Sequence, residues 1–146
     1  MAYSTLNIMQ KPGSVIKRIP YPGTTILKGT LVEVRSDQYI QPYTMGNTNK
    51  FAGVALEGTV PTITSYSDPN GITYGNPAVT NPRGIDVGRS GQLYRFPYSA
   101  AAGTNVGSAV YASDAQTIAL TGTYQIGTVV DWETGYLWVD WGTYCI

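Results

Sequence analysis

Asp131 and Glu133 flank Trp132, and Asp140 stands with Val139 between Trp138 and Trp141. Paired carboxylates beside tryptophan are what a glycosidase uses, one as acid and the other as nucleophile or base. In a strand, however, Asp131 and Glu133 project from one face, and a solvated outer face explains them more simply. Trp132, Trp138, Trp141, Tyr136 and Tyr144 make an aromatic set that could stack on sugars. Such sets more often fill cores and interfaces. Other chemistry is scarce. The chain has no histidine, so Ser-His-Asp and Cys-His arrangements within one chain are excluded. The commonest general base and metal ligand is missing with it. Cys145 is the sole cysteine, so no intrachain disulfide can form. No Cys cluster, EF-hand loop or HExxH occurs. Gly88-Arg89-Ser90-Gly91 lies on a strand pattern without a helix behind it, which fits a turn or bulge and not a phosphate cradle. The expectation is a protein that is not an enzyme, with no catalytic residues, cofactor or metal.

The elements that carry these residues are strands. Leu31–Val34, Gly53–Leu56, Ile85–Val87, Leu93–Phe96, Val106–Ala112, Ile118–Leu120, Ile126–Trp132 and Tyr136–Trp141 are short apolar or alternating runs. Gly, Asn, Asp and Ser clusters separate them at close spacing, the pattern of a sandwich or small barrel. Ser99–Ala102 is the one helix-compatible stretch and is too short to nucleate alone.

Two segments echo each other. FAGVALEG (51–58) resembles QIGTVVDW (125–132), and Gly29–Ile40 resembles Gly107–Ile118. Each copy then reaches a further strand, Ile85–Gly91 or Leu137–Gly142. The fold predicted is all-β, a compact antiparallel β-barrel or sandwich built from two pseudo-repeated three-stranded units. Each unit leaves one apolar face bare, and the other supplies its cover. Gly53 and Gly127 open the middle strands and predict a bulge or close backbone approach where the sheets meet.

Residues 1–23 hold prolines at 12, 20 and 22, which forbid a helix, and predict an extended N-terminal arm. Its Val15, Ile16 and Ile19 suit pairing with a sheet edge, its own or a partner's. Residues 24–146 form the single β-domain. Within it, 61–84 is a long surface loop or hairpin insertion, centred on the Asn70-Gly71 turn pair.

At 146 residues the chain is long enough for one core. Charged residues make only 12%, about half the usual share, and the net charge is zero. That gives no electrostatic case for nucleic acid or a membrane. It suits either a polar, uncharged β surface or one covered by neighbours. Lys11, Lys17, Arg18, Lys28 and Arg35 crowd the start, whereas Asp114, Asp131, Glu133 and Asp140 follow the last cation, Arg95. The absence of a signal-like apolar stretch predicts folding in a cytoplasm.

From Lys28 to Trp141 the order of KGTLVEV (28–34), FAGVALEG (51–58), GIDVGRSGQLYRF (84–96), AAAGTNVGSAVYASDAQTI (100–118), QIGTVVDW and YLWVDWG (136–142) resembles tailed-phage head-decoration, or capsid cement, proteins. The insertion and the arm depart from that family's compact pattern. The resemblance implies a non-enzymatic protein on the virion's capsid exterior, made in the host cytoplasm, that clamps neighbouring copies of the major capsid protein. It implies a homo-oligomer, a trimer before a dimer, and no catalytic residues to carry over. The expected partner contacts are Val15, Ile16, Lys17, Arg18, Ile19 and Tyr21 of the arm with Tyr66 and Tyr74 of the insertion. Removal of residues 1–19 is then expected to leave a folded body that no longer decorates. A carbohydrate-binding or adhesin-type β-module is the alternative.

Overall fold

The computed structural model describes residues 14–59, 65–67, 73–75 and 84–146. Two antiparallel five-stranded sheets make the body. The first holds β1 (Val15–Arg18), β2 (Leu31–Val34), β3 (Ile40–Pro42), β4 (Lys50–Ala55) and β7 (Ile85–Gly88), in the order β1-β7-β4-β2-β3. Between β4 and β7 comes a separate hairpin of β5 (Ser65–Ser67) and β6 (Thr73–Gly75). The second sheet holds β8 (Tyr94–Pro97), β9 (Ala109–Asp114), β10 (Thr117–Ala119), β11 (Gly127–Glu133) and β12 (Tyr136–Asp140), in the order β10-β9-β11-β12-β8. Only two 3-10 turns, Gly103–Asn105 and Gly142–Tyr144, interrupt the strands among the described residues.

Read from opposite ends, the two sheet orders are the same, and the registers match residue for residue. Val32 faces Gly53 in one unit and Val110 faces Gly127 in the other. Gly29 and Gly107 both sit at φ +89°, and their amides donate to Ala55 and Val129, each at 2.8 Å. Val54 faces Gly88 where Thr128 faces Asp140, and Lys17 faces Asp86 where Arg95 faces Trp138. The duplication predicted from sequence is therefore present, but its unit has five strands, not three. The added strands are β3 and β10, short partners after the turn that follows β2 and β9, and β1 and β8, whose sequences VIKR and YRFP share too little to reveal the match.

The same comparison moves the boundary of the predicted arm. Residues 1–13 lie outside the described residues. Val15–Arg18 pairs with β7 of its own chain, so the own-sheet reading of these residues is the one realised. Beyond β1 the chain crosses to the far edge of the sheet. The Ile40 amide donates to the Ile19 carbonyl at 2.9 Å, and the Tyr21 amide donates to the Ile40 carbonyl at 2.8 Å. This parallel bridge curls the first sheet into a half-barrel around Ile26, Val32, Val34, Ile40, Ile85 and Val87. Removal of residues 1–19 would strip out a strand and half of that closure. Contrary to the sequence expectation, the deletion is expected to unfold the body.

A second core lies between the sheets. The inner face of the second sheet supplies Phe96, Val110, Val129, Leu137 and Trp141, and the first unit adds Leu31, Phe51 and Val54. The strand β4 serves both cores because of Gly53. Strict alternation would put residues 52 and 54 on one face. The bulged backbone at Gly53, φ +116°, shifts the phase, so Ala52 and Ala55 face the first core while Phe51 and Val54 face the second. The close approach made by Gly53 and Gly127 is to the next strand of the same sheet, at Gly88 and Asp140, and not between sheets as predicted.

One buried charge anchors the first unit. Glu33 has no exposure and, among the described residues, no ion-pair partner. Its carboxylate accepts from Gln41 Nε2 (2.6 Å), Asn49 Nδ2 (2.8 Å), Thr44 Oγ1 (2.9 Å) and the Thr44 amide (3.0 Å). These donors all come from β3 and the loop leading into β4, so the carboxylate holds that loop in place. Each buried donor left without an acceptor costs about 1–3 kcal/mol. Glu33→Ala is expected to lower unfolding free energy by at least that amount in urea titration. Glu33→Gln is expected to recover only part of the loss, because its amide nitrogen meets another donor.

Candidate partner-binding surface

Six of the expected contact residues lie on β1 and its continuation. Val15 is exposed, and Ile16 turns inward against the first core. Lys17 pairs with Asp86 at 2.9 Å and Glu57 at 3.5 Å, so its charge is spent on its own sheet. These partners hold its ammonium above the usual lysine range, the Asp86 hydrogen bond most of all. Arg18 is half-buried, and its Nε meets no hydrogen-bond partner among the described residues. Burial, and then the neighbouring Arg89, depress its guanidinium below the usual range.

Val15 (37% exposed), Ile19 (38% exposed) and Tyr21 (37% exposed) face outward with apolar or aromatic surface. Tyr21 sits edge-on to Tyr39, with ring centroids 5.9 Å apart, and the Arg35 guanidinium lies over its ring at 3.7 Å. Arg35 is itself fixed by Asp37, Nη2 to Oδ2 at 3.0 Å. Lys17, Arg18 and Ile19 line a shallow groove of about 360 Å³ with Asp37, Gln38 and Tyr39. The structure thus brings Lys17–Tyr21 together with the turn between β2 and β3. Sequence reading placed that turn but missed Arg35 and Tyr39 as members of the patch. Nothing in their spacing connects them to Tyr21; the curl of the sheet does.

Tyr66 and Tyr74 face each other in the register of the β5–β6 hairpin. The hairpin expected within 61–84 is therefore formed.

The residues that suggested chemistry separate. Trp141 is wholly buried, whereas Trp132 (42% exposed) stands on the surface. Asp131 and Glu133 do share a face, opposite Trp138 and Tyr136. Glu133 is paired with Arg95 at 3.1 Å, and Arg95 also covers the Tyr136 ring at 4.2 Å. Asp131 accepts from the Trp132 amide at 2.8 Å, and Asp140 from the Gly142 amide at 3.1 Å. Asp131 and Asp140 thus hold their own strand and turn, and Glu133 ties β11 to β8. Among the described residues no group of three or more His, Cys, Asp or Glu is placed to hold a metal ion.

Cys145 is half-buried beside Arg89 and Arg18. Burial pushes its thiol up, against the smaller opposing pull of a Ser90 backbone hydrogen bond and the two arginines. Burial, with Cys145 and Asp140 nearby, pushes the Tyr94 phenol up to about 12. Both groups hold their protons more tightly folded than unfolded. Their contribution to stability is full below the ordinary thiol and phenol ranges and is lost as pH rises through the folded values. The expected result is alkaline destabilisation beginning near pH 9, read by urea titration at stepped pH. At pH 8 the thiol is expected to react with an aromatic disulfide at least about ten-fold more slowly than in denaturant.

Comparison with protein-family models, with curated proteins and with solved structures finds no match to this chain.

Proposed function

We propose that the protein is a structural component of a tailed-phage virion, bound to the outside of the capsid, where it fastens neighbouring major-capsid subunits. The sequence resemblance to head-decoration proteins supports this reading. So does one structural observation: a duplicated β-body with two filled cores carries exposed Ile19 and Tyr21 beside charges already paired within the chain. An apolar and aromatic patch flanked by the internally paired Lys17 and Arg35 has the composition of an interface centre. Several weak contacts made by an oligomer on one shell add up through effective concentration.

The test is co-sedimentation of purified protein with capsids that lack it. Saturable binding is expected. Ile19→Asp, whose side chain is not in the core, is expected to fold and to bind about ten-fold or more weakly. Capsids left bare are expected to lose DNA at lower temperature than decorated ones. Failure of the wild-type protein to sediment with any capsid preparation would remove the reading.

The sugar-binding alternative keeps one observation in its favour, the exposed Trp132 ring. A glycan array on which wild type and Trp132→Ala are equally silent would dismiss it.

A further inference from the structure

The duplication gives each unit a matching outer corner. The Gly29 amide donates to the Ala55 carbonyl as the Gly107 amide donates to that of Val129. Lys28 with Leu56, and Val106 with Val130, adjoin these bonds, so the two pairs occupy equivalent places. The second unit's corner is apolar and exposed. Val130 is the extra residue of the bulge between the Val129–Val139 and Asp131–Trp138 pairs, and it stands outside the core with Val106. Trp132 joins them: a Cβ built at Gly103, in the turn that leads to Val106, would stand 3.2 Å from its Nε1. Three large apolar side chains exposed together exceed the scattered single residues of an ordinary surface. The first unit's corner opens instead into a groove of about 430 Å³. Leu27 (57% exposed), Lys28, Leu56 and Pro97 line it with buried Val54 and Phe96.

Charge separates the two corners further. Among the described residues, Lys17 pairs with Asp86 and Glu57, Arg35 with Asp37, and Arg95 with Glu133. The exposed charges without an ion pair there are Lys28 and Lys50 on the first unit and Asp114 and Asp131 on the second. Glu57, which matches Asp131 in the repeat, is held by Lys17 at 3.5 Å. The first corner is thus an apolar groove with a cation, and the second an apolar cluster with an acid. Opposite charges beside apolar surface set the register of a contact and favour one partner over others.

We infer that a second copy of this chain is the partner of both corners: Val106, Val130 and Trp132 of one copy enter the groove beside Leu27 and Leu56 of the next, with Asp131 against Lys28. Each copy carries one corner of each kind, so copies join head to tail. Sedimentation velocity on the purified full-length chain, with no shell component present, tests this independently of the shell-binding reading. Concentration-dependent association in the micromolar range is expected. Lys28→Glu and Asp131→Lys, both at exposed positions outside the cores, are each expected to melt like wild type and to associate at least about ten-fold more weakly. An equimolar mixture of the two is expected to regain wild-type association, because every corner then meets its opposite charge on a copy of the other variant. Lys50→Glu makes the same charge change at the far end of β4 and is expected to associate like wild type. A wild-type chain monomeric at about 100 μM, an effect of Lys50→Glu equal to that of Lys28→Glu, or a mixture no tighter than its components would each overturn the inference.

Discussion

Trp141→Ala is expected to destabilise the protein by about 3–5 kcal/mol, the cost of deleting a large aromatic from a packed core. Trp141 has no exposure. It meets Phe51 of the first unit edge-on, with ring centroids 5.0 Å apart, meets Phe96 of the second at 5.5 Å, and stacks on Tyr94 at 5.8 Å. Phe51 in turn touches Tyr43 at 5.3 Å. The indole is thus the joint between the two units. Its loss should do more than lower stability: it should loosen the inter-sheet core, through which the two units meet. Urea unfolding followed by tyrosine fluorescence and by far-ultraviolet dichroism should coincide in the wild type and separate in the variant. Trp141→Phe should stay much closer to wild type. It keeps most of the aromatic contact, and the indole N–H it removes meets no acceptor among the described residues. Coincident transitions and a loss under about 1 kcal/mol for the alanine variant would show that the units are not joined there.

Gly53→Ala should be the most damaging single methyl. A Cβ built at Gly53 would stand 2.0 Å from the Gly88 carbonyl oxygen, and the backbone there holds φ +116°. The obstacle is backbone of a paired strand and cannot rotate away. Relief requires pulling β4 from β7, which opens the phase shift that lets β4 serve two cores. We expect a loss of about 4 kcal/mol or more, at the far end of single-substitution effects. The repeat supplies its own controls. At Gly127 the corresponding Cβ would be 2.7 Å from the Asp140 carbonyl oxygen, without the positive φ, so a smaller but clear loss is expected. At Gly29 nothing lies within 4 Å and only the φ of +89° is strained, so about 1–2 kcal/mol is expected. Thermal melts of the three variants should rank in that order. Equal losses would mean that the approach of β4 to β7 does not limit the fold.

Much of this architecture could be read in advance from particular residues. The Gly29/Gly107 and Gly53/Gly127 pairs announced the duplication, because glycine at a strained φ or a close approach cannot be exchanged freely and so keeps the echo audible. The alternation of Ile85 and Val87, and of Leu137 and Val139, announced strands with one face in a core. The strands β1 and β8 went unmatched because an edge strand needs only one or two inward residues. Ile16 and Tyr94 are inward equivalents with nothing in common as letters. Glu33 gave no sign either: a lone acid in KGTLVEV looks like a surface residue until four donors from β3 and the loop after it surround it.

The candidate surface was half legible. Apolar residues on a proline-punctuated segment marked Ile19 and Tyr21 as contact residues, yet that segment turned out to be framework as well as surface.

By itself the chain of residues determined strand identity, the doubling of the unit and the absence of histidine chemistry, since these depend on local period, on glycine and on composition. Tertiary structure alone decided which tryptophan is buried, which charges are neutralised, and that Arg35 and Tyr39 meet Tyr21. Those outcomes depend on how a curled sheet brings distant residues within a few ångströms, and no spacing along the chain encodes that distance.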